Sequence, residues 1–183
     1  LEGCHPSESP ENAAFRLDGP RALVIDATML TPDRDSGSLR MFNLLQVLRT
    51  LGYAVTFIPK DLLPKPGYLE KLQQSGVHVL HAPYLATVSD YLEQSGSQFE
   101  LCILSRPDTA MLWMEKARLL CPNARILYDT VDLHFLRIER ALVTTGRMTE
   151  TNYEKKDELR AVLQAEATLV VSDAERQRLL EEV

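Results

Sequence analysis

The stretch YDTVDLHFLRIER, Tyr128 to Arg140, is the densest concentration of reactive side chains in the chain. It carries the carboxylates of Asp129 and Asp132, the imidazole of His134 and the guanidinium groups of Arg137 and Arg140, directly after an apolar run. A histidine among carboxylates can act as a general acid or base, or hydrogen-bond a ligand hydroxyl, because its unperturbed pKa lies near ~6.5. His134 and Asp132 are therefore the candidate catalytic residues. Asp129, Arg137 and Arg140 are candidates for holding a substrate, set against the plainer reading that the arginines pair with Glu139 or with acids of the next helix.

Two other clusters follow apolar runs. The first is Ser36-Gly37-Ser38 with Arg40, preceded by the turn-rich loop TPDRD. Serine and glycine at a helix N-terminus can present backbone N–H groups to an anion, and they can equally well just cap the helix. The second is Ser105-Arg106-Pro107-Asp108, where Arg106 is a candidate for substrate binding.

Several chemistries are excluded by spacing. The loop at 33–38 lacks both the phosphate-binding G-x-x-x-x-G-K pattern and the dinucleotide G-x-G-x-x-G fingerprint. Asp33 and Asp35 before Gly37 do not make a calcium loop, because the glycine comes one position early and no glutamate closes the loop. Asp26-Ala-Thr28 lacks the second acid of an aspartyl-phosphate enzyme. Cys4 beside His5 has no second ligand pair at metal-binding spacing, so no metal site is expected. Trp113, Met111 and Met114 read as core, and His78 and His81 as packing or rim residues.

The chain has 183 residues, and 20 basic against 26 acidic side chains leave a net charge of −6. That balance argues against an electrostatic nucleic-acid binder. Hydrophobic residues make up 45%, as in ordinary globular domains, and no run is long and apolar enough to span a membrane. Three cysteines, two of them in apolar or helical segments, do not suggest a disulfide framework and fit a reducing cytosol.

The elements that must position these residues alternate along the chain. After an arm of about twenty polar residues, apolar runs at 22–25, 54–58, 77–80, 99–104, 124–128 and 168–171 read as strands buried on both faces. Between them lie amphipathic segments. In the first, Met41, Phe42, Leu45, Leu48 and Leu51 recur at helical spacing, with Ser36 or Ser38 as cap and Gly52 as terminator. Helices are also predicted over 68–74, 87–94 and 107–120, the last opened by Pro107 and Asp108. The charged stretch 133–165 reads as helix broken near Gly146, and a final helix starts at Ser172, where Glu175 completes a capping box. This alternation predicts an α/β fold: a doubly wound, Rossmann-like parallel sheet of about six strands. In such sheets ligands bind beyond the carboxyl ends of the strands, which is where the three clusters fall.

In this order, the Ser-Gly-Ser loop, the SRPD corner, the YDTVDLHFLRIER block and the closing VVSDAERQRLL resemble the N-terminal domain of GT-B glycosyltransferases of the large group 1 class, a retaining, family 4-like group with many bacterial polysaccharide and lipopolysaccharide enzymes. The similarity spans about residues 21–183. It implies a two-domain enzyme in which this acceptor-side domain faces a C-terminal, donor-binding domain that the chain does not contain, so that residues 21–183 alone would be inactive. The donor implied is a nucleotide-sugar, the acceptor a glycan or a lipid-linked sugar, and no cofactor or metal is required. Ser36, Gly37 and Ser38 match the family's loop near the donor phosphates, and Asp132 and His134 the region that touches the donor sugar. In this sequence Val131 stands before Asp132, and His134 follows it by two. The implied location is the cytoplasm, including the inner face of a membrane with peripheral association. A non-catalytic Rossmann-like domain binding a sugar, a nucleotide or a partner chain is the alternative. A receiver-type phosphorylation domain is disfavoured, since no aspartate follows the third strand.

Overall fold

The computed structural model describes residues 19–138 and 155–183. The arm read at 1–20, apart from Gly19 and Pro20, lies outside these residues. So do Arg140 and the helix break expected near Gly146.

The fold is a doubly wound, Rossmann-like α/β unit. Six strands, β1 (Arg21–Asp26), β2 (Ala54–Pro59), β3 (His78–Val79), β4 (Leu101–Ser105), β5 (Arg125–Asp129) and β6 (Ala167–Leu169), form one sheet in the order β3-β2-β1-β4-β5-β6. Every pairing is parallel. Among the described residues, six α-helices alternate with them: α1 (Ser36–Thr50), α2 (Tyr68–Gln74), α3 (Val88–Ser95), α4 (Pro107–Leu120), α5 (Lys155–Gln164) and α6 (Asp173–Glu182). A helical turn at 134–138 follows β5.

The strands are apolar throughout because both faces are covered. In β1, Ala22, Leu23, Val24 and Ile25 are each 0% exposed, and consecutive side chains feed opposite cores. Ala22 and Val24 pack with Met41, Leu45 and Leu48 of α1 and Leu72 of α2. Leu23 and Ile25 pack on the other face with Val88 and Leu92 of α3, Trp113 and Met114 of α4, and Ala161 of α5. A smaller cluster joins Leu133, Phe135 and Leu136 to Leu179 of α6. Met111 departs from the expected core role: it is 48% exposed, while its neighbours Trp113 and Met114 are buried.

Local signals set the helix ends. Gly52, with φ of +89°, takes the left-handed position that ends α1. Ser172 caps α6 by accepting from the Glu175 amide, and the Glu175 carboxylate accepts from Val171 N, one residue ahead of the cap. The cap of α1 is a correction. Neither Ser36 nor Ser38 takes the role; Asp35 does, in extended backbone, because its carboxylate reaches two amides at once.

Strand order reverses between β1 and β4, which run side by side while their following helices cover opposite faces. A crevice opens beyond the carboxyl ends at such a switch point.

Candidate functional site

Three loops meet at that point, after β1, β4 and β5. Gly37, in the first turn of α1, is buried so tightly that a Cβ there would lie 2.6 Å from Val131 Cγ1 and 2.9 Å from Arg106 Nη2. Arg106 and Val131 carry φ of +75° and +63°. Each is a conformation that side-chain-bearing residues adopt at a cost of about 1–3 kcal/mol, and a β-branched residue there is a marked outlier. Two strained residues and one tightly packed glycine therefore meet at this point.

Arg106 is the hub. Its Nε lies 2.9 Å from Asp26 Oδ1 at the end of β1, and its Nη2 lies 2.9 Å from Asp35 Oδ2. Asp35 in turn accepts from Ser38 N at 2.9 Å, Gly37 N at 3.3 Å and Ser38 Oγ at 2.8 Å. A parallel arrangement ties Arg40 of α1 to Asp129 at the end of β5. Lys60 and Asp108 form a further ion pair on this edge.

Burial changes these acids. Asp26, 1% exposed, is pushed up to about 6 by desolvation, against the opposing pull of Arg106. Asp129 is likewise raised by burial, with Arg40 acting against the rise. Burial also works on Asp35, but hydrogen bonds from Ser38 and the nearness of Arg106 outweigh it and hold this carboxyl below its usual range. Burial disfavours the Arg106 charge too, and the Asp26 and Asp35 carboxylates more than compensate. Among the described residues, the second oxygens of Asp26 and Asp129 and the Ser105 hydroxyl, on neighbouring strands, find no hydrogen-bond partner.

The residues after β5 form the outer part of the edge. Asp132 Oδ2 lies 3.1 Å from Arg137 Nη1, and Arg137 Nη2 lies 3.3 Å from His134 Nε2. A guanidinium only donates, so Nε2 is the accepting nitrogen and the neutral ring carries its proton on Nδ1. Burial, then Arg137, hold the imidazole below its ordinary range, while Asp132, Glu158 and Asp108 pull the other way. The 3.5 Å approach of His134 Nε2 to Asp132 becomes an ion pair only when the ring is protonated.

The structure thus brings Ser36, Gly37, Ser38, Arg40, Arg106, Asp129, Asp132, His134 and Arg137 to one edge, in two layers. Gly37, Ser38 and Asp129 are buried beneath it, whereas Ser36 and Arg137 are exposed and Arg40, Arg106, Asp132 and His134 are partly so. One expected feature changes. The amides of Gly37 and Ser38 are not open to an outside anion, because Asp35 already accepts from both. Asp35 announces itself in the sequence as an aspartate just before a helical run, a standard cap signal. Glu158, whose carboxylate accepts from the His134 and Phe135 amides, carries no local signal, being one acid among many on a charged helix.

Beside the β1 loop, a pocket of about 230 Å³ opens between α1 and α2, lined by Leu30, Leu39, Phe42, Tyr68, Lys71 and Leu72. Among the described residues, no group of three or more His, Cys, Asp or Glu is placed to hold a metal ion, and no helix is long and apolar enough to cross a membrane. No model of a known protein family matches the chain, and no curated protein matches it. The class that the fold defines is the Rossmann-like α/β unit with its polar residues gathered at the switch point.

Proposed function

We propose that this chain is the acceptor-side unit of a glycosyltransferase that moves a sugar from a nucleotide-sugar donor to a glycan or lipid-linked acceptor. A second, donor-binding unit of the same polypeptide would close over the edge that carries Arg106 and His134, and residues 21–183 alone would be inactive. The observation that carries the reading is the contact among Gly37, Arg106 and Val131, which joins three loops at the switch point of a parallel sheet. The motif order along the chain, from Ser36-Gly37-Ser38 to the closing helix, supports it.

In this mechanism the edge orients an acceptor hydroxyl against the anomeric carbon, converting an encounter into a positioned reaction. A neutral His134, with Asp132 beside it, hydrogen-bonds a sugar hydroxyl. Negative charge developing on the leaving phosphate is met by Arg106, Arg40 and Arg137 rather than by the α1 amides, since those are taken by Asp35. No cofactor or metal is invoked. The apolar pocket between α1 and α2 suits the non-sugar part of a lipid-linked acceptor, and with it a bacterial enzyme working in the cytoplasm or at the inner face of a membrane.

The test is sugar transfer by the full-length protein carrying His134→Ala or Asp132→Ala. We expect a loss of about a hundredfold in each, the scale of a positioned proton-transfer or hydrogen-bonding group. Wild-type rates in both would remove these residues from the site. The one observation favouring a non-catalytic binding domain is that Asp26, Asp35 and Asp129 already engage Arg40 and Arg106 internally. Ligand binding without transfer would select that reading.

A further inference from the structure

The turn that carries His134 has an entry problem. The chain leaves β5 through Val131 in a left-handed conformation, and the first amides of a helical turn have no acceptor within it. Asp132, the nearest side chain that could cap them, is engaged with Arg137 instead. Packing of Leu133, Phe135 and Leu136 against Leu179 holds the apolar side of the turn, but such contacts are non-directional and do not define its rotation.

The directional restraint comes from 24 residues away. Glu158 of α5 is 0% exposed, and its Oε1 accepts from His134 N at 3.3 Å while Oε2 accepts from Phe135 N at 3.2 Å. The Tyr128 hydroxyl of β5, itself fully buried, donates to Oε1 at 3.3 Å. A carboxylate out of water is costly unless its oxygens are satisfied, and here a sheet side chain and two backbone amides converge on one group.

We propose that Glu158 is a positioning residue for His134, setting the orientation of the turn from which the imidazole projects and linking it to β5 and α5. Giving that imidazole a task in sugar transfer rests on the function proposed above; the positioning itself does not. Among the described residues, the charged groups that act on the ring include Arg137 and Asp132 on its own turn, Asp108 from α4 and Glu158 from α5.

The experiment uses the full chain with Glu158→Gln and Glu158→Ala, and reads amide exchange and the His134 imidazole titration by NMR, with His134→Gln to assign the ring. The Gln variant keeps an acceptor but loses the charge, so the His134 titration should move to lower pH while one of the two amides stays protected. In the Ala variant the His134 and Phe135 amides should exchange at least about tenfold faster, with those of β1 and β4 unchanged. If the Ala variant does not fold, the Gln variant carries the test alone. Unaltered titration and exchange in the Gln variant would overturn the proposal, as would equal acceleration across β1 and β4, which marks a general loss of stability. Transfer rates of the full-length enzyme separate the two readings. Faster exchange of the His134 and Phe135 amides with unchanged transfer upholds positioning and sinks the catalytic assignment, and faster exchange with a lower kcat at constant KM upholds both.

Discussion

Asp26 ends β1 as one acid among many in the sequence, and burial beside Arg106 gives it a different character. Its native pKa of about 6 lies above the ordinary 3.8. Between those values the folded chain binds a proton that the unfolded chain has released, so this group favours folding at low pH and the benefit fades as pH rises through about 6. We therefore expect the unfolding free energy of wild type, measured in urea relative to Asp26→Asn, to decline by about 2 kcal/mol between pH 4 and pH 7. A difference that does not vary with pH would mean that Asp26 titrates normally. At this scale His134, Asp132 and Arg106 could be picked out by residue type, since imidazole, carboxylate and guanidinium announce their chemistry. Val131 and Glu158 could not. A valine carries no sign that its backbone will be left-handed, and the donors to Glu158 come from residues 23 to 30 positions away.

Helix α1 is the element that assembles the edge, because its N-terminal end carries Gly37 against Val131, the Asp35 cap against Arg106, and Arg40 against Asp129. A methyl group at position 37 meets Val131 Cγ1 at 2.6 Å, well inside contact distance. We expect Gly37→Ala to cost about 2 kcal/mol, in the range of overpacking, and Val131→Gly to recover much of it by removing the opposing methyl and relaxing the positive φ. A double-mutant cycle by urea unfolding should show coupling of at least about 1 kcal/mol; simple additivity would show that the two loops do not touch. Strand limits were legible only approximately. The apolar runs stop before the hydrogen-bond ladder does, so Ser105 and Asp129 belong to β4 and β5, where they pair with each other. At the two sheet edges the opposite holds. β3 keeps two residues of its expected four, and β6 keeps Thr168 and Leu169 of its expected four and adds Ala167; each pairs with a single neighbour.

At the scale of the whole molecule, the described residues place a sheet between two main cores. Phe57 of β2 packs on the α1 and α2 side, and Leu104 of β4 on the α3, α4 and α5 side, with β1 between their strands. Truncating either to alanine should cost about 3–4 kcal/mol, and the double substitution should equal their sum to within about 0.5 kcal/mol. Measured non-additivity above about 1 kcal/mol would mean that the cores communicate through the sheet. Alternating apolar runs and amphipathic segments were enough to determine the fold class, because strands covered on both faces must be apolar throughout and their crossovers must be helical. The gathering of polar residues after β1, β4 and β5 followed from the same logic. What only tertiary structure decided was who satisfies whom: that Asp35 rather than an outside anion takes the amides of α1, that Arg106 bridges Asp26 and Asp35, and that Glu158 holds the turn of His134. Those pairings depend on distance in space between residues remote along the chain, and local spacing does not encode it.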